Sequence, residues 1–219
     1  MKKKRVTYIL IAINILVFAL MSMTGGSENS SVLIRFGAMN RGLVINGEWW
    51  RVFLPIFIHI GTVHLLMNCY SLYILGGVFE NLYGSAKFTI IYLLSGIMGN
   101  LFTFAFGSIY SISAGASTSL YGLFGLAIAL FVFYQKEESI KRFGASFMGI
   151  IAINILYSFT NPSIGILGHL GGLVGGFILG GILPIRNRRI NAKIKMLMTI
   201  IFIALIVFLV YAGVNLLWV

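Results

Sequence analysis

Four polar side chains interrupt otherwise apolar stretches of this sequence: His64, Asn68, Ser117 and His169. A serine hydroxyl becomes an effective nucleophile only when a base within hydrogen-bond reach takes its proton, and a neutral imidazole suits that task. Side-chain N–H groups, together with a backbone N–H at a helix start, can stabilise the negative charge that develops on an attacked carbonyl oxygen. These residue types could therefore carry out nucleophilic attack on a carbonyl group, provided that the fold brings them together.

The local sequence predicts how each of these side chains is presented. His64 and Asn68 are four residues apart in an apolar segment, so a helix places them on one face. Ser117 lies in the sequence GASTS, which opens a helix at a point where backbone N–H groups have no intrahelical acceptor. His169 falls in the first turns of a glycine-rich segment. We expect all four groups near the outer ends of their helices, at one depth.

Each of these residues taken alone has a simpler explanation. A single serine, asparagine or histidine in a membrane helix usually hydrogen-bonds to a neighbouring helix and so contributes to packing. Several such groups at one depth instead indicate a water-filled cavity with a function, because ionisable groups are costly inside a bilayer.

Glycine spacing predicts contact between two of the helices involved. One face of the His169 helix is nearly bare backbone, because glycines recur there every four residues: Gly168, Gly172, Gly176 and Gly180. The helix that begins at Ser117 has a matching stripe of small residues: Gly122, Gly125 and Ala129. Small faces allow membrane helices to approach closely, which would bring His169 beside Ser117.

The composition of the chain is that of a membrane protein. Of its 219 residues, 59% are hydrophobic and only 10% are charged, and the mean hydropathy is +0.98. Soluble domains carry about 25% charged residues because their surface faces water. The net charge of +11 comes from short basic clusters between apolar segments, a pattern that reports membrane topology and predicts no nucleic-acid partner.

Several classes of site are excluded by residues that the sequence lacks. Its five acidic residues are all glutamate, so neither an aspartyl intramembrane protease nor a Ser-His-Asp triad can be built. Its three histidines form no HExxH pair, which removes the metalloprotease signature. Cys69 is the single cysteine, so the chain can form no internal disulfide and no cysteine metal cluster. We expect no metal and no cofactor.

Seven apolar segments are long enough to be read as membrane helices, since a bilayer core takes about 20 residues. They span about residues 6–23, 62–79, 86–107, 116–134, 143–159, 164–185 and 196–217. The first segment follows a basic cluster and is interpreted as a membrane helix rather than a signal peptide. The sequence thus predicts an all-α membrane protein.

Positive charge predicts the orientation of the bundle. With the N-terminus in the cytoplasm, only Arg35, Arg41 and Arg51 of the 16 Lys and Arg residues lie outside. The longest connection, residues 24–61, then lies outside and contains Trp49 and Trp50. Because these rings prefer the membrane interface, we expect this connection to lie partly in the outer leaflet.

Three ordered motifs resemble those of the rhomboid family of intramembrane serine proteases. Residues 49–68, WWRVFLPIFIHIGTVHLLMN, are similar to the rhomboid WR loop followed by HxxxxHxxxN. Residues 115–125, GASTSLYGLFG, resemble the nucleophile motif GxSx, and residues 168–177, GHLGGLVGGF, resemble the histidine helix with its GxxxG. The GxSx motif alone would be weak, whereas three motifs in this order are specific.

This resemblance implies roles for the residues that carry it. Ser117 would be the nucleophile and His169 its base, a dyad that agrees with the missing aspartate. His64 and Asn68 would donate hydrogen bonds to the oxyanion, together with the Ser117 backbone N–H. Tyr121 would stack on the His169 ring and hold its orientation.

The same resemblance implies structural roles elsewhere. Arg51 would brace the outer loop, Glu80 the inner end of the second helix, and Gly84 a turn beyond it. Gly172 and Gly176 belong to the close-packed histidine helix, and His59 matches a histidine near the cavity without a catalytic role. One departure is Thr118, which follows the nucleophile where many rhomboids have glycine, and we expect its bulk beside the oxyanion site to narrow substrate choice or lower activity.

The resemblance also implies an organisation and a function. Residues 1–185 would form a six-helix rhomboid core, 186–195 a basic cytoplasmic linker, and 196–219 an added seventh helix. The expected activity is cleavage of single-pass membrane proteins near the outer face of a cell membrane, most simply a bacterial plasma membrane, in contact with its lipids. The oligomeric state is left open by the sequence.

Two alternatives remain at this point. A catalytically silent relative could bind client membrane helices with the same fold, although such relatives usually lose the serine or the histidine. A small transporter or channel would require acidic residues or broken paired helices within the spans, and Glu80 near a helix end is the single acid there.

Overall fold

The computed structural model describes residues 4–160 and 165–216, and within them the chain is helical, with one isolated β-bridge. The α-helices of the described residues are α1 (Arg5–Met23), α2 (Ser30–Phe36), α3 (Arg41–Ile45), α4 (Thr62–Ser71), α5 (Gly77–Tyr83), α6 (Ser85–Phe106), α7 (Ser117–Phe133), α8 (Glu138–Ala145), α9 (Met148–Thr160), α10 (Ile166–Ile182) and α11 (Ala192–Asn215). The predicted all-α fold is confirmed. The cytoplasmic position of the N-terminus stays a prediction.

Each of the seven predicted apolar segments contains a helix, although several boundaries differ. The second segment is longer than predicted, because a π-helical turn at Leu72–Gly76 joins α4 to α5 in one helix, Thr62–Tyr83. The fifth is divided into α8 and α9. The predicted limits 164 and 217 lie outside the described residues. The connection between α1 and α4, residues 24–61, is called the outer connection after its predicted position. It was expected only as a loop, yet it folds into α2, α3 and two 3₁₀ turns, Trp49–Val52 and Leu54–Phe57.

Five helical stretches of the described residues are long and apolar enough to cross a membrane: α1, α4 with α5, α6, α8 with α9, and α11. The apolar helices α7 and α10 are shorter, with 17 residues each. At 1.5 Å per residue a 17-residue helix extends about 26 Å, less than the roughly 30 Å of a hydrocarbon core. These two short helices carry Ser117 and His169 in their first turns. Their limited length therefore allows both N-terminal ends to sit below the level that the longer helices reach.

The centre of the bundle is formed by α6, α7 and α10, and glycine lets α10 lie directly on the backbone of α7. A methyl group at Gly172 would overlap the carbonyl group of Thr118, and one at Gly176 would overlap the carbonyl group of Gly122. The predicted contact between the two small faces is therefore present. No side chain other than hydrogen fits between these backbones.

Glu80 ties the inner part of the bundle together. Its carboxylate accepts hydrogen bonds from the backbone N–H groups of Val6 (3.0 Å) and Thr7 (2.9 Å). It also accepts the hydroxyl protons of Thr7 (2.7 Å) and Ser85 (2.6 Å). Because hydrogen bonds to a charged group are stronger than neutral ones, this carboxylate joins α1 to α5 and to the start of α6.

Arg51 has a comparable position in the outer connection. Its side chain is buried, donates to the carbonyl oxygens of Ile34 (2.8 Å) and Ala38 (2.9 Å), and pairs with Glu48. The guanidinium group thus holds the end of α2 against the first 3₁₀ turn.

A second buried arginine, Arg41, joins the outer connection to α11. It is 1% exposed and donates to the carbonyl oxygens of Gly213 (3.1 and 3.2 Å), Leu216 and Gly107 (3.4 Å). Two of these acceptors lie at the C-terminal end of α11, where carbonyl groups have no helical partner and a positive charge is favourable.

The neighbours of Arg41 hold the segment that leads to Ser117. Met39 pairs with Ser113 in the β-bridge, and the Asn40 side chain donates to the carbonyl oxygens of Ile109 and Ser111, both at 3.1 Å. Residues 39–41 therefore fasten the loop between α6 and α7 on one side and the end of α11 on the other.

Arg41→Gln should lower the stability of the purified protein in detergent. The substitution removes the charge and leaves buried carbonyl groups without donors, and hydrogen bonds to charged groups contribute about 1.5 to 3 kcal/mol each. We expect a clearly lower midpoint of thermal unfolding, measured by tryptophan fluorescence. Arg35→Gln is the matched control, because it removes the same charge from an exposed position in α2 of the same connection. Equal midpoints for the two variants would contradict this role of Arg41.

Candidate active site

A cavity of about 750 Å³ opens among α4, α7, α9, α10 and the loop that leads to Ser117. Its lining includes the side chains that sequence analysis singled out, His64, Asn68, Ser117, Tyr121 and His169. The structure thus brings these five residues to one place. Its wall also contains residues of α9 that sequence analysis did not select.

Ser117 and His169 are in direct contact across the packed helices. The Nε2 atom of His169 lies 3.0 Å from the Oγ atom of Ser117, a hydrogen-bond distance. Ser117 is the first residue of α7, and His169 is the fourth residue of α10. The contact depends on the glycine-mediated approach of α10 to α7, since the two residues are far apart in the chain.

The turn before Ser117 is held by backbone hydrogen bonds. Gly115 has a φ of +144°, a conformation that L side chains rarely adopt, and its N–H donates to the Pro55 carbonyl oxygen at 2.9 Å. The next N–H, of Ala116, donates to Nε2 of His59 at 3.3 Å. The outer connection therefore fixes the position of the serine through its backbone.

His59 serves as a neutral acceptor in this turn. Its side chain is fully buried beside His64, with ring centroids 5.4 Å apart. Burial, together with the neighbouring His64, lowers the pKa of His59 to about 3, so the ring is uncharged at neutral pH. The expected position near the cavity is found, and its contact is to backbone rather than to Ser117.

Tyr121 lies flat against the base. Its ring and that of His169 are stacked with centroids 3.9 Å apart and an interplanar angle of 13°. Tyr121 follows Ser117 by four residues, so α7 presents the serine and the stacking ring on one face. The stacking that the resemblance implied is present in the structure.

The other side of the His169 ring meets α9. Its Nδ1 atom is 2.9 Å from the Oγ atom of Ser158, which is 2.7 Å from the Tyr121 hydroxyl oxygen. Both hydroxyl groups also lie 2.9 Å from the backbone carbonyl oxygen of Asn154. Ser158 was not among the predicted site residues, although Asn154 and Ser158 are spaced i, i+4 in an apolar span, as His64 and Asn68 are.

His64 and Asn68 project from α4 into the cavity as the spacing predicted. The backbone N–H of Ile60 points to Nδ1 of His64 at 3.4 Å, an arrangement that leaves the proton of a neutral ring on Nε2. One N–H of the Asn68 amide donates to the His64 carbonyl oxygen at 2.8 Å, and its Oδ1 is buried without a hydrogen-bond partner. A second amide N–H remains for another acceptor.

Thr118 lines the cavity, and its side chain also lies against two neighbouring helices. The methyl carbon of Thr118, Cγ2, faces Gly99 and Gly168. A methyl group added at either glycine would lie 3.0 Å from it. Its hydroxyl lies 3.5 Å from the Gly115 carbonyl oxygen. Glycines on α6 and α10 therefore provide the space for its β-branch, and the expected effect of Thr118 on substrate choice or activity stays a prediction.

The geometry defines a helical membrane protein with a serine and a histidine in contact within a cavity. In the described ranges, 4–160 and 165–216, no group of three or more His, Cys, Asp or Glu residues could hold a metal ion. The polar atoms that face the cavity are instead hydroxyl, imidazole and amide groups.

Residues 46–186 match the Rhomboid domain family. The chain is 38% identical over 213 residues to Rhomboid protease GluP of Bacillus subtilis (strain 168). This alignment covers 97% of this chain and 41% of GluP. It is 37% identical over 136 residues to Putative rhomboid protease YdcA of the same organism, covering 62% of this chain and 68% of the relative. A third relative, Rhomboid-like protease 1 of Toxoplasma gondii, is 32% identical over 167 residues, covering 75% of this chain and 56% of the relative.

The chain belongs to the rhomboid family. It is accordingly a polytopic helical bundle and a multi-pass protein of the cell membrane. The chain spans less than half the length of GluP and about two thirds of YdcA.

Gly172→Ala should separate Ser117 from His169. The added methyl group would overlap the Thr118 carbonyl group, which belongs to the backbone and cannot move aside as a side chain would. Overpacking of this kind costs about 1 to 3 kcal/mol, so we expect a lower unfolding midpoint and a slower reaction of Ser117 with a fluorophosphonate probe.

Gly149→Ala is the control for this prediction, since a methyl group at Gly149 in α9 would meet nothing within 4 Å. We expect this variant to retain the parental midpoint and labelling rate. Parental behaviour of Gly172→Ala would show that the close contact of α10 with α7 is not required.

Proposed function

We propose that this chain is an intramembrane serine endopeptidase that cleaves membrane-spanning segments of other proteins, with Ser117 as nucleophile and His169 as general base. The observation that carries the proposal is the 3.0 Å contact between Ser117 Oγ and His169 Nε2 in a cavity inside a helical membrane bundle. Membership of a family that includes named proteases supports the same conclusion.

The reaction follows from the positions of these two groups. His169 Nε2 takes the Ser117 proton as Oγ attacks the substrate carbonyl carbon, and the carbonyl oxygen becomes an oxyanion. The imidazolium then gives this proton to the leaving amine as the C–N bond breaks, leaving an acyl-enzyme ester. Hydrolysis follows the same steps: His169 takes a proton from water as the water oxygen attacks the ester carbon. The bond to Ser117 then breaks, the carboxylic acid leaves, and the imidazolium returns the proton to Ser117 Oγ.

Three donors can meet the oxyanion. The Ser117 backbone N–H lies in the first turn of α7, where it has no intrahelical acceptor. His64 carries its proton on Nε2, and this edge of the ring lies near Gly115, next to Ser117 Oγ. Asn68 retains one amide N–H that its bond to the His64 carbonyl oxygen does not use. Donors placed before the reaction stabilise the developing charge without reorganisation.

The substrate must reach this cavity as an extended chain, because a helix hides its carbonyl groups in internal hydrogen bonds. We assign entry to the side of α9, a helix that buries only Ile151 and Ser158 among its described residues. Segments with small or helix-breaking residues near the outer leaflet would unwind most easily. In this proposal residues 1–185 form the catalytic core, 186–195 a cytoplasmic linker and 196–219 an additional membrane helix, with lipids and substrate helices as the contacts.

Ser117→Ala and His169→Ala should each abolish cleavage of a single-pass membrane reporter, since one removes the attacking oxygen and the other the base. Membrane insertion should be unchanged, as judged by fractionation and expression level. In detergent, a fluorophosphonate probe should label the parent protein but not Ser117→Ala. Undiminished cleavage by both variants would refute the dyad, and a parent that is neither labelled nor active would favour a binding role.

Asn68→Ala should lower kcat by about 10²-fold or more, with a much smaller change in KM, because an oxyanion donor acts mainly in the transition state. Asn81→Ala is the matched control: Asn81 donates to the carbonyl oxygen four residues earlier, as Asn68 does, but it lies in α5, away from the cavity. The comparison uses steady-state cleavage of a peptide reporter in detergent. An equal kcat for Asn68→Ala and Asn81→Ala would exclude Asn68 as a donor.

A further inference from the structure

The Nδ1 atom of His169 is partnered by a hydroxyl group, in a position where serine hydrolases often place a carboxylate. Ser158 is 3% exposed, and its Oγ lies 2.9 Å from Nδ1, on the opposite side of the ring from Ser117. A base can accept the Ser117 proton at Nε2 only when the proton of the neutral ring is on Nδ1. The partner of Nδ1 therefore matters for the reaction.

The hydrogen-bond distances around Ser158 favour the useful tautomer. Three oxygen atoms form a triangle with sides of 2.7, 2.9 and 2.9 Å: the hydroxyl oxygens of Tyr121 and Ser158 and the Asn154 carbonyl oxygen. If Nδ1 carries a proton and donates to Ser158, both hydroxyl protons remain inside the triangle and fill two of its three short contacts. If Ser158 instead donates to Nδ1, one proton is left for three oxygen pairs.

We propose that Ser158 is a positioning residue that accepts the Nδ1 proton of His169, and so keeps Nε2 available to receive the Ser117 proton. This inference rests on the proposed function of the site. Ser158 has two acceptor lone pairs, which receive the N–H of His169 and the O–H of Tyr121, while its own proton goes to the Asn154 carbonyl oxygen. Tyr121 then has two tasks, since its ring supports the imidazole face and its hydroxyl orients Ser158.

A neutral partner suits this position in the bundle. The sequence contains no aspartate, and an ionised carboxylate inside a bilayer is costly without a charged partner. A hydroxyl group orients the ring without a buried charge. It stabilises the imidazolium less than a carboxylate would, so its contribution is mainly to orientation.

Because Ser158 belongs to α9, the orientation and protonation of the His169 ring depend on the position of this helix. Ser158 is one of only two buried residues of this helix, and the other is Ile151. Ser158 lies within hydrogen-bond distance of Tyr121 on α7 and of His169 on α10, so it links α9 to both helices in addition to apolar contacts such as that of Ile151. Displacement of α9 would remove the Nδ1 acceptor and leave the tautomer of His169 unfixed.

The test compares Ser158→Thr with Ser158→Val, two side chains of similar shape that differ by a hydroxyl group. Threonine in a helix can bond the carbonyl oxygen four residues earlier, which here is that of Asn154. The two readouts are the rate of fluorophosphonate labelling of Ser117 in detergent and the ¹⁵N NMR signals of the His169 ring, assigned by their loss in His169→Gln.

We expect Ser158→Thr to keep the parental labelling rate and a proton on Nδ1. Ser158→Val should label about five- to tenfold more slowly, the size expected for one neutral hydrogen bond, and should shift ring protonation toward Nε2. Ser146→Ala, in the exposed turn between α8 and α9, controls for loss of a serine hydroxyl and should match the parent.

The outcomes separate this inference from the proposed function. A parental labelling rate and a parental His169 tautomer in Ser158→Val would overturn the role of Ser158. A slower labelling rate with an unchanged tautomer would also overturn it, because it would indicate an effect of packing alone. Loss of labelling in Ser158→Thr as well, with the proton still on Nδ1, would also overturn it. Failure of the parent itself to label at Ser117 would instead refute the proposed nucleophile.

Discussion

The contact of α10 with the backbone of α7 is the constraint on which the site depends. Two helices that carry ordinary side chains pack with their axes 8 to 10 Å apart, with side chains filling the space between them. Here Gly172 and Gly176 face carbonyl groups of the other helix directly. This close approach allows His169 to reach Ser117 and to stack on Tyr121. These two glycines thus help to position the reacting groups.

A second constraint is the cost of charge in a bilayer, and the distribution of polar groups follows it. The cavity is lined by hydroxyl, imidazole and amide groups, which are neutral and can be satisfied by one another or by water. The buried charges occur elsewhere and are surrounded by donors or acceptors. Glu80 accepts four hydrogen bonds near the ends of α1 and α5, and Arg41 and Arg51 saturate backbone carbonyl groups of the outer connection.

The features that the sequence predicted are those encoded by local pattern. Hydropathy indicated each of the apolar segments, and motif order indicated that Ser117 and His169 would meet. Arg41 could not be assigned, because its acceptors are more than 60 residues away and are backbone atoms that carry no sequence signal. The glycines that accommodate the Thr118 side chain could not be assigned either, since they come from other helices. Ser158 was overlooked because one serine in an apolar span usually reflects ordinary helix packing.

The π-helical turn at Leu72–Gly76 sets the direction in which the second half of its helix faces. In an uninterrupted α-helix, Asn68 and Glu80 would point about 120° apart, at 100° per residue over their separation. The one additional residue of a π turn reduces this angle to about 20°. The cavity amide and the carboxylate that anchors α1 can then share one inward side of a single rod. Without this register shift the carboxylate would point about 100° away from its present direction and from the α1 groups that it binds, so one irregular turn lets a single helix bury both polar groups.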